Sequence, residues 1–227
     1  MAQQKRLIIA IDGVAASGKS TTARLVAQRL GYLYLDSGAL YRALTLKVLR
    51  KGIDPAAQDT VAEIARQTQV DLRTEGGELR VFLDGEDVTE EIRGPEVSEH
   101  IGPVAANGAV RQRMVELQRA LAAGGGVVAE GRDIGTVVFP DADVKFYFTA
   151  SLEVRAQRRQ AEYAARSIDT SVRQLAAQLE RRDRDDRART YGPLRKAPDA
   201  IEVDTSHMTI EEQVEFVLQK VRERLSG

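Results

Sequence analysis

The stretch Gly13-Val-Ala-Ala-Ser-Gly18-Lys19-Ser20-Thr21 satisfies the pattern Gly, any four residues, Gly-Lys-Ser/Thr, and few motifs restrict a fold as tightly. Such a loop works between a buried strand and a helix. Its backbone N–H groups converge on an anion, and the helix start adds partial positive charge. The flanks agree: the apolar run Leu7 to Ile11 precedes the loop, and a helical stretch from Thr21 to Leu30 follows it. Gly13, Val14, Ala15, Ala16, Ser17, Gly18 and Thr21 are thus candidate anion-binding positions. Lys19 is the candidate cation for terminal phosphates, and the Ser20 hydroxyl the candidate ligand for Mg²⁺. A bound nucleoside triphosphate is the expectation.

Four more apolar runs, Tyr32 to Leu35, Val127 to Ala129, Val144 to Phe148 and Ile201 to Val203, lack polar alternation. That is the pattern of strands buried on both faces. Helical stretches separate them, so the expected fold is α/β: a five-stranded parallel sheet flanked by helices. The last helix is the clearest, with Ile210, Val214, Val217, Leu218, Val221 and Leu225 at helical spacing behind a Thr209/Glu212 capping box. Val70–Thr74 and Leu79–Leu83 instead alternate around Glu75-Gly-Gly-Glu78, which predicts a β-hairpin with one solvated face. Residues 64–104 are read as a small β-containing insert dividing the core into 1–63 and 105–227. Gly124-Gly-Gly126 marks a helix end before the third core strand.

Composition narrows the chemistry. There is no cysteine, which removes disulfides and thiolate catalysis, and only two histidines, His100 and His207, which removes a His-based metal cluster. Net charge is −1, so no global excess of positive charge advertises nucleic acid or an acidic membrane. With aromatics at 5% and no Trp, no stacking platform for single-stranded nucleic acid is visible. The first apolar run is too short for a signal-peptide core or a membrane span. A cytoplasmic monomer acting on small molecules is expected, with neither nucleic acid nor membrane as partner. No Asn-Lys-x-Asp element for guanine occurs, and a motor would need more chain. A small-molecule kinase is therefore the leading class. A different monophosphate or shikimate as acceptor, and a non-catalytic ATP-gated binding protein, stay open.

The acceptor side rests on local cations. Eleven of the 26 arginines fall between Arg155 and Arg195. They suit either two solvated helices laced by ion pairs or a guanidinium cluster for phosphate. Asp36-Ser37-Gly38-Ala-Leu40-Tyr41-Arg42 ends the second strand, with Ser37 expected to cap a helix from Ala39 and Arg42 able to reach back over the strand ends. Gly131-Arg132-Asp133 follows the third strand through Glu130. In Arg182 to Arg189, Asp186 stands at helical spacing from Arg182 and Arg189.

At this point the chain resembles the bacterial cytidylate kinases. The matching stretches are IDGVAASGKSTTARLVAQRLGYLYLDSGALYRA, FLDGEDVTEEIRGPEV, VVAEGRDIGTVVFPDADVKFYFTAS and RRDRDDRARTYGPL. They cover nearly the whole chain in family order. The resemblance implies a P-loop fold in which 64–104 binds the nucleoside monophosphate and a helical, Arg-rich lid spans about 152–168. It implies transfer of the γ-phosphoryl group of ATP, with Mg²⁺, to CMP or dCMP. Arg42, Arg132 and Arg189 are implied to hold the CMP phosphate with Arg182 alongside, in a site that includes Ser37 and Tyr41. Arg111 and Asp133 are implied to read cytosine, and Asp186 to hold the ribose hydroxyls. Arg155, Arg158 and Arg159 match the lid arginines over the ATP phosphates. Gly102 stands where many relatives have a Ser contacting the base, and GVAASGKS where the family often has Pro-Ser-Gly-Ala. The latter change is expected to matter little, because the backbone makes the anion contacts.

Overall fold

The computed structural model describes residues 6–75, 78–165 and 167–226. Its main sheet is parallel, with strand order β2-β6-β1-β7-β8. Numbered along the chain, these are β1 (Ile8–Gly13), β2 (Leu33–Asp36), β6 (Val127–Gly131), β7 (Val144–Thr149) and β8 (Ile201–Asp204). Central β1 pairs with β6 on one side and β7 on the other. Ile9, Ala10 and Ile11 have no exposed surface, because helices cover both faces; hence the unbroken apolarity of these runs. The register places Asp12 beside Gly131, Gly13 beside Phe148 and Asp36 beside Glu130. The carboxyl ends of four strands therefore form one edge.

The helices are α1 (Lys19–Leu30), α2 (Ser37–Arg50), α3 (Gln58–Arg66), α4 (Pro95–Ala106), α5 (Gly108–Leu121), α6 (Leu152–Ala164), α7 (Val172–Ala188) and α8 (Ile210–Ser226). Helix α1 begins at Lys19, not at Thr21 as expected, so Lys19 and Ser20 form its first turn, with their amides at the anion-binding end. In α8 the capping box is present: Thr209 N donates to Glu212 Oε2 at 2.7 Å and Glu212 N to Thr209 Oγ1 at 3.3 Å. Val214, Val217, Leu218 and Val221 are buried, but Leu225 is exposed beyond the sheet. The polar Gln213 is also buried, its Oε1 accepting from Thr22 Oγ1 of α1 at 2.9 Å.

The expected hairpin is β3 (Val70–Glu75) and β4 (Glu78–Leu83), antiparallel, extended by β5 (Glu86–Asp87) into a separate three-stranded sheet. Its turn residues Gly76 and Gly77 lie outside the described residues. One face carries Val70, Leu72, Leu79, Val81 and Leu83 into the same buried core as the main sheet, which is what the alternation encodes. Helix α4 packs on α2. Residues 64 and 104 fall inside α3 and α4, because both helices run on past the points where the composition changes.

Candidate active site

The loop between β1 and α1 depends on close approach. A Cβ on Gly13 would lie 2.2 Å from the Phe148 carbonyl oxygen, so only glycine lets β7 pass. Gly18 adopts φ 88° and Ala16 φ 59°. The Ser17 hydroxyl donates to the Val14 carbonyl at 2.9 Å. The Lys19 ammonium folds back over the loop, 3.4 Å from the Val14 oxygen and 3.7 Å from Glu130 Oε2. Burial, helped by Arg132 and opposed by Glu130, pushes its pKa down to about 8. Val14 and Ala15 are buried, while Thr21 is exposed on the first turn of α1.

Ser20 Oγ donates to Glu130 Oε1 at 2.7 Å. Glu130 is a functional candidate to which the sequence reading gave no role, naming it as the residue leading into Gly131-Arg132-Asp133. The available signal was an acid closing a fully buried strand next to the strand that carries the loop. A hydroxyl and a carboxylate are hard oxygen donors suited to Mg²⁺, so Ser20 and Glu130 fit that ion.

Across the edge, Asp36 caps α2: its Oδ1 accepts from Ala39 N at 2.9 Å and its Oδ2 from Arg42 at 3.0 Å. Ser37, expected to be the cap, is instead the first helical residue and donates to the Glu130 carbonyl at 2.8 Å. The helix starts as soon as β2 ends, which moves the cap to the strand's last residue. Tyr41 is buried with the Arg111 guanidinium 5.4 Å from its ring centre, and burial pushes its hydroxyl up to about 12. Arg111 forms a buried ion pair with Asp133. Gly192 presses on that pair: its φ is 58°, and a Cβ would sit 2.2 Å from Asp133 Oδ2.

Asp186 organises the arginines. Its Oδ2 accepts from Arg132 Nε at 2.7 Å and its Oδ1 lies 2.6 Å from Arg189. Burial alone would raise this carboxyl, but Arg132 and Arg189 outweigh it and hold it below the ordinary range. Arg182 is held by no ion pair among the described residues. Its side chain is exposed on α7. Desolvation lowers its pKa, and Arg132, Arg159 and Arg42 add to the effect. A cleft of about 500 Å³ runs between α4 and the end of α7, lined by Gly102, Pro103, Arg189 and Tyr191 among others. A Cβ on Gly102 would meet nothing within 4 Å.

The arginines of α6 are not equivalent. Arg155 is buried, 2.8 Å from Asp183 Oδ2 and 3.4 Å from the Ala15 carbonyl of the loop. Arg158 donates to Thr205 Oγ1 at 3.1 Å and to its carbonyl at 2.6 Å. Thr205, also unanticipated, donates in turn to the Ser17 carbonyl at 2.8 Å. Arg159 pairs with its helical neighbour Glu162 at 3.2 Å and lies 5.9 Å from the Tyr163 ring centre.

Known proteins resemble this chain over nearly its whole length. The cytidylate kinase family model matches residues 9–223. The cytidylate kinase of Pelotomaculum thermopropionicum is 54% identical over 214 residues, covering 94% of this chain and 95% of that one. That of Geobacillus thermodenitrificans is 46% identical over 222 residues, covering 98% and 99%. A Thermus thermophilus crystal structure overlays with a TM-score of 0.50 at 17% identity, covering 99% of this chain and 100% of that chain; at that identity the likeness concerns the fold alone. The sequence match runs unbroken from β1 into α8 and takes in the hairpin sheet and the arginines around Asp186: the chain belongs to the cytidylate kinase family.

Proposed function

We propose that the protein is a phosphotransferase that moves the γ-phosphoryl group of ATP to CMP or dCMP, yielding ADP and CDP or dCDP. The carrying observation is the buried Asp186 carboxylate, on which the guanidiniums of Arg132 at 2.7 Å and Arg189 at 2.6 Å converge. Two guanidiniums sharing one carboxylate leave positive charge uncompensated, and that charge calls for an anion.

The acceptor is a phosphate monoester with a second pKa near ~6, so at pH 7 it is largely dianionic. Its oxygen attacks the γ-phosphorus as the bond to the ADP oxygen breaks, and no general base is required. The obstacle is repulsion between two polyanions. Lys19, Arg42, Arg132, Arg182 and Arg189 are the groups in this reading that offset it. Mg²⁺, held through Ser20 and Glu130, would supply further charge neutralisation on the triphosphate. Residues 64–104 are the proposed acceptor-side insert and 152–168 the proposed lid. Arg159 is the lid arginine best placed to turn toward the transferred group, since Arg155 and Arg158 are engaged by Asp183 and Thr205. Cytosine recognition falls to Arg111 and Asp133. A carboxylate accepts from the exocyclic amine of cytosine but faces lone pairs on the uracil carbonyl at that position.

Turnover of CMP, dCMP, UMP and AMP with ATP and Mg²⁺ tests the reading. CMP and dCMP are expected to exceed UMP in kcat/KM by at least about tenfold, or ~1.4 kcal/mol. Equal use of UMP would defeat the role of Asp133. ATP binding without transfer to any of the four would favour the gated binding protein.

A further inference from the structure

Asp12 belongs neither to the phosphate loop nor to the arginine array, yet it ties the strand leading into the one to the segment that follows the other. It is the penultimate residue of β1, immediately before Gly13, and lies in register with Gly131 of β6 and Tyr147 of β7. Its side chain is buried, with Oδ1 accepting from Ile134 N at 2.8 Å and Oδ2 from Gly135 N at 2.7 Å. Those amides open the single π-helical turn Ile134–Val138, which starts directly after Arg132 and Asp133. Across 122 positions of sequence, one carboxylate bonds the chain just ahead of the phosphate loop to the chain just behind the acceptor-side arginine and acid.

This is a costly way to satisfy two amides. Burial pushes the Asp12 carboxyl up to about 7 although both amides pull it down, and among the described residues no ion pair compensates. Arg132 and Asp133 are already held at their tips, by Asp186 and Arg111. The backbone from which they spring has Ser37 on one side, whose Oγ would lie 2.5 Å from a Cβ on Gly131, and Asp12 on the other.

We propose that Asp12 is a positioning residue: by clamping the amides of Ile134 and Gly135 it sets where Arg132 and Asp133 stand relative to the phosphate loop, and so how acceptor and donor phosphates face one another. The inference rests on the cytidylate kinase reading. In-line transfer tolerates little error in that spacing, which is why a carboxylate with two acceptor oxygens, and not a single-acceptor side chain, occupies the position.

The test is Asp12→Asn, which keeps the shape but turns an NH₂ toward one of the two amides. KM for CMP is expected to rise about 10- to 100-fold, and CMP affinity measured calorimetrically without ATP to weaken in parallel. KM for ATP should stay within about twofold, and the Ile134 and Gly135 amides should exchange faster with solvent. CMP affinity and KM at wild-type values would overturn the proposal. So would a parallel rise of both KM values accompanying a lower Tm, since that is what a merely structural group produces. If Asp12→Asn does not fold, Asp12→Ser, with one acceptor oxygen, carries the same readouts. Wild-type turnover of CMP is measured alongside. Its absence removes the kinase reading, whereas a normal variant beside an active wild type removes only the role of Asp12.

Discussion

Ala16 holds φ at 59° in a loop whose neighbouring left-handed position is a glycine. A Cβ in that region costs about 1–2 kcal/mol, and the methyl recovers part of it by packing against the small cluster of Ala15, Ala156, Leu175 and Leu179. Ala16→Gly is therefore expected to raise the unfolding free energy by about 1 kcal/mol in urea or thermal melts. ATP affinity should not change, because the anion contacts come from the backbone; a lower Tm would show that the methyl's packing outweighs the strain. Single residues were legible where the chemistry is local. Lys19 and Ser20 declare themselves by their neighbours in sequence. Asp12, Glu130, Thr205 and Gly192 do not, because each acts on a partner brought close only by the sheet: Glu130 meets Ser20 across 110 positions and Thr205 meets Ser17 across 188. Arg111 and Asp133 were both singled out for the base, but their buried pairing with each other is written in no local pattern.

Among elements, α6 and α7 are joined by the buried pair Arg155–Asp183 at 2.8 Å, above an apolar contact through Ala156, Leu175 and Leu179. Asp183 Oδ1 has no hydrogen-bond partner, so the pair holds through one oxygen only. Removing the acid strands a buried guanidinium, and Asp183→Ala is expected to lower stability by about 3–5 kcal/mol, measured by denaturant unfolding. The combined Arg155→Met and Asp183→Leu replacement should recover most of that loss. A double variant no more stable than Asp183→Ala would mean that the pair's contribution is not electrostatic. The five core strands could be read from sequence because burial on both faces leaves continuous apolar runs. That logic does not reach α4, which contains Gly102 and Pro103. The helix runs through both to Ala106, its buried Val97, Val104 and Ala105 held by the surrounding core.

For the whole molecule, near-neutral net charge hides local clusters in which arginines and acids interleave. The cations proposed to hold phosphate include Lys19, Arg42 and Arg132 near the carboxyl edge of the sheet, and the α6 arginines hold contacts to Asp183, Thr205 and Glu162. If those contacts are exchanged for the γ-phosphate only when both nucleotides are seated, water is excluded until an acceptor is in place. ATP hydrolysis without CMP is then expected to be slower than transfer by about 10³-fold, the scale of a withheld arginine, in a coupled ADP assay. A basal rate close to the transfer rate would refute the gating. The opposite end of the sheet has a different use. Helix α8 runs back along the strands, so that Lys220, Glu223 and Arg224 of its last turns line a hollow with Val144 and Ile201, the first residues of β7 and β8. A fluorophore, bead or fusion partner tethered through that last turn would hang behind the sheet, leaving the mouth through which nucleotides pass unobstructed.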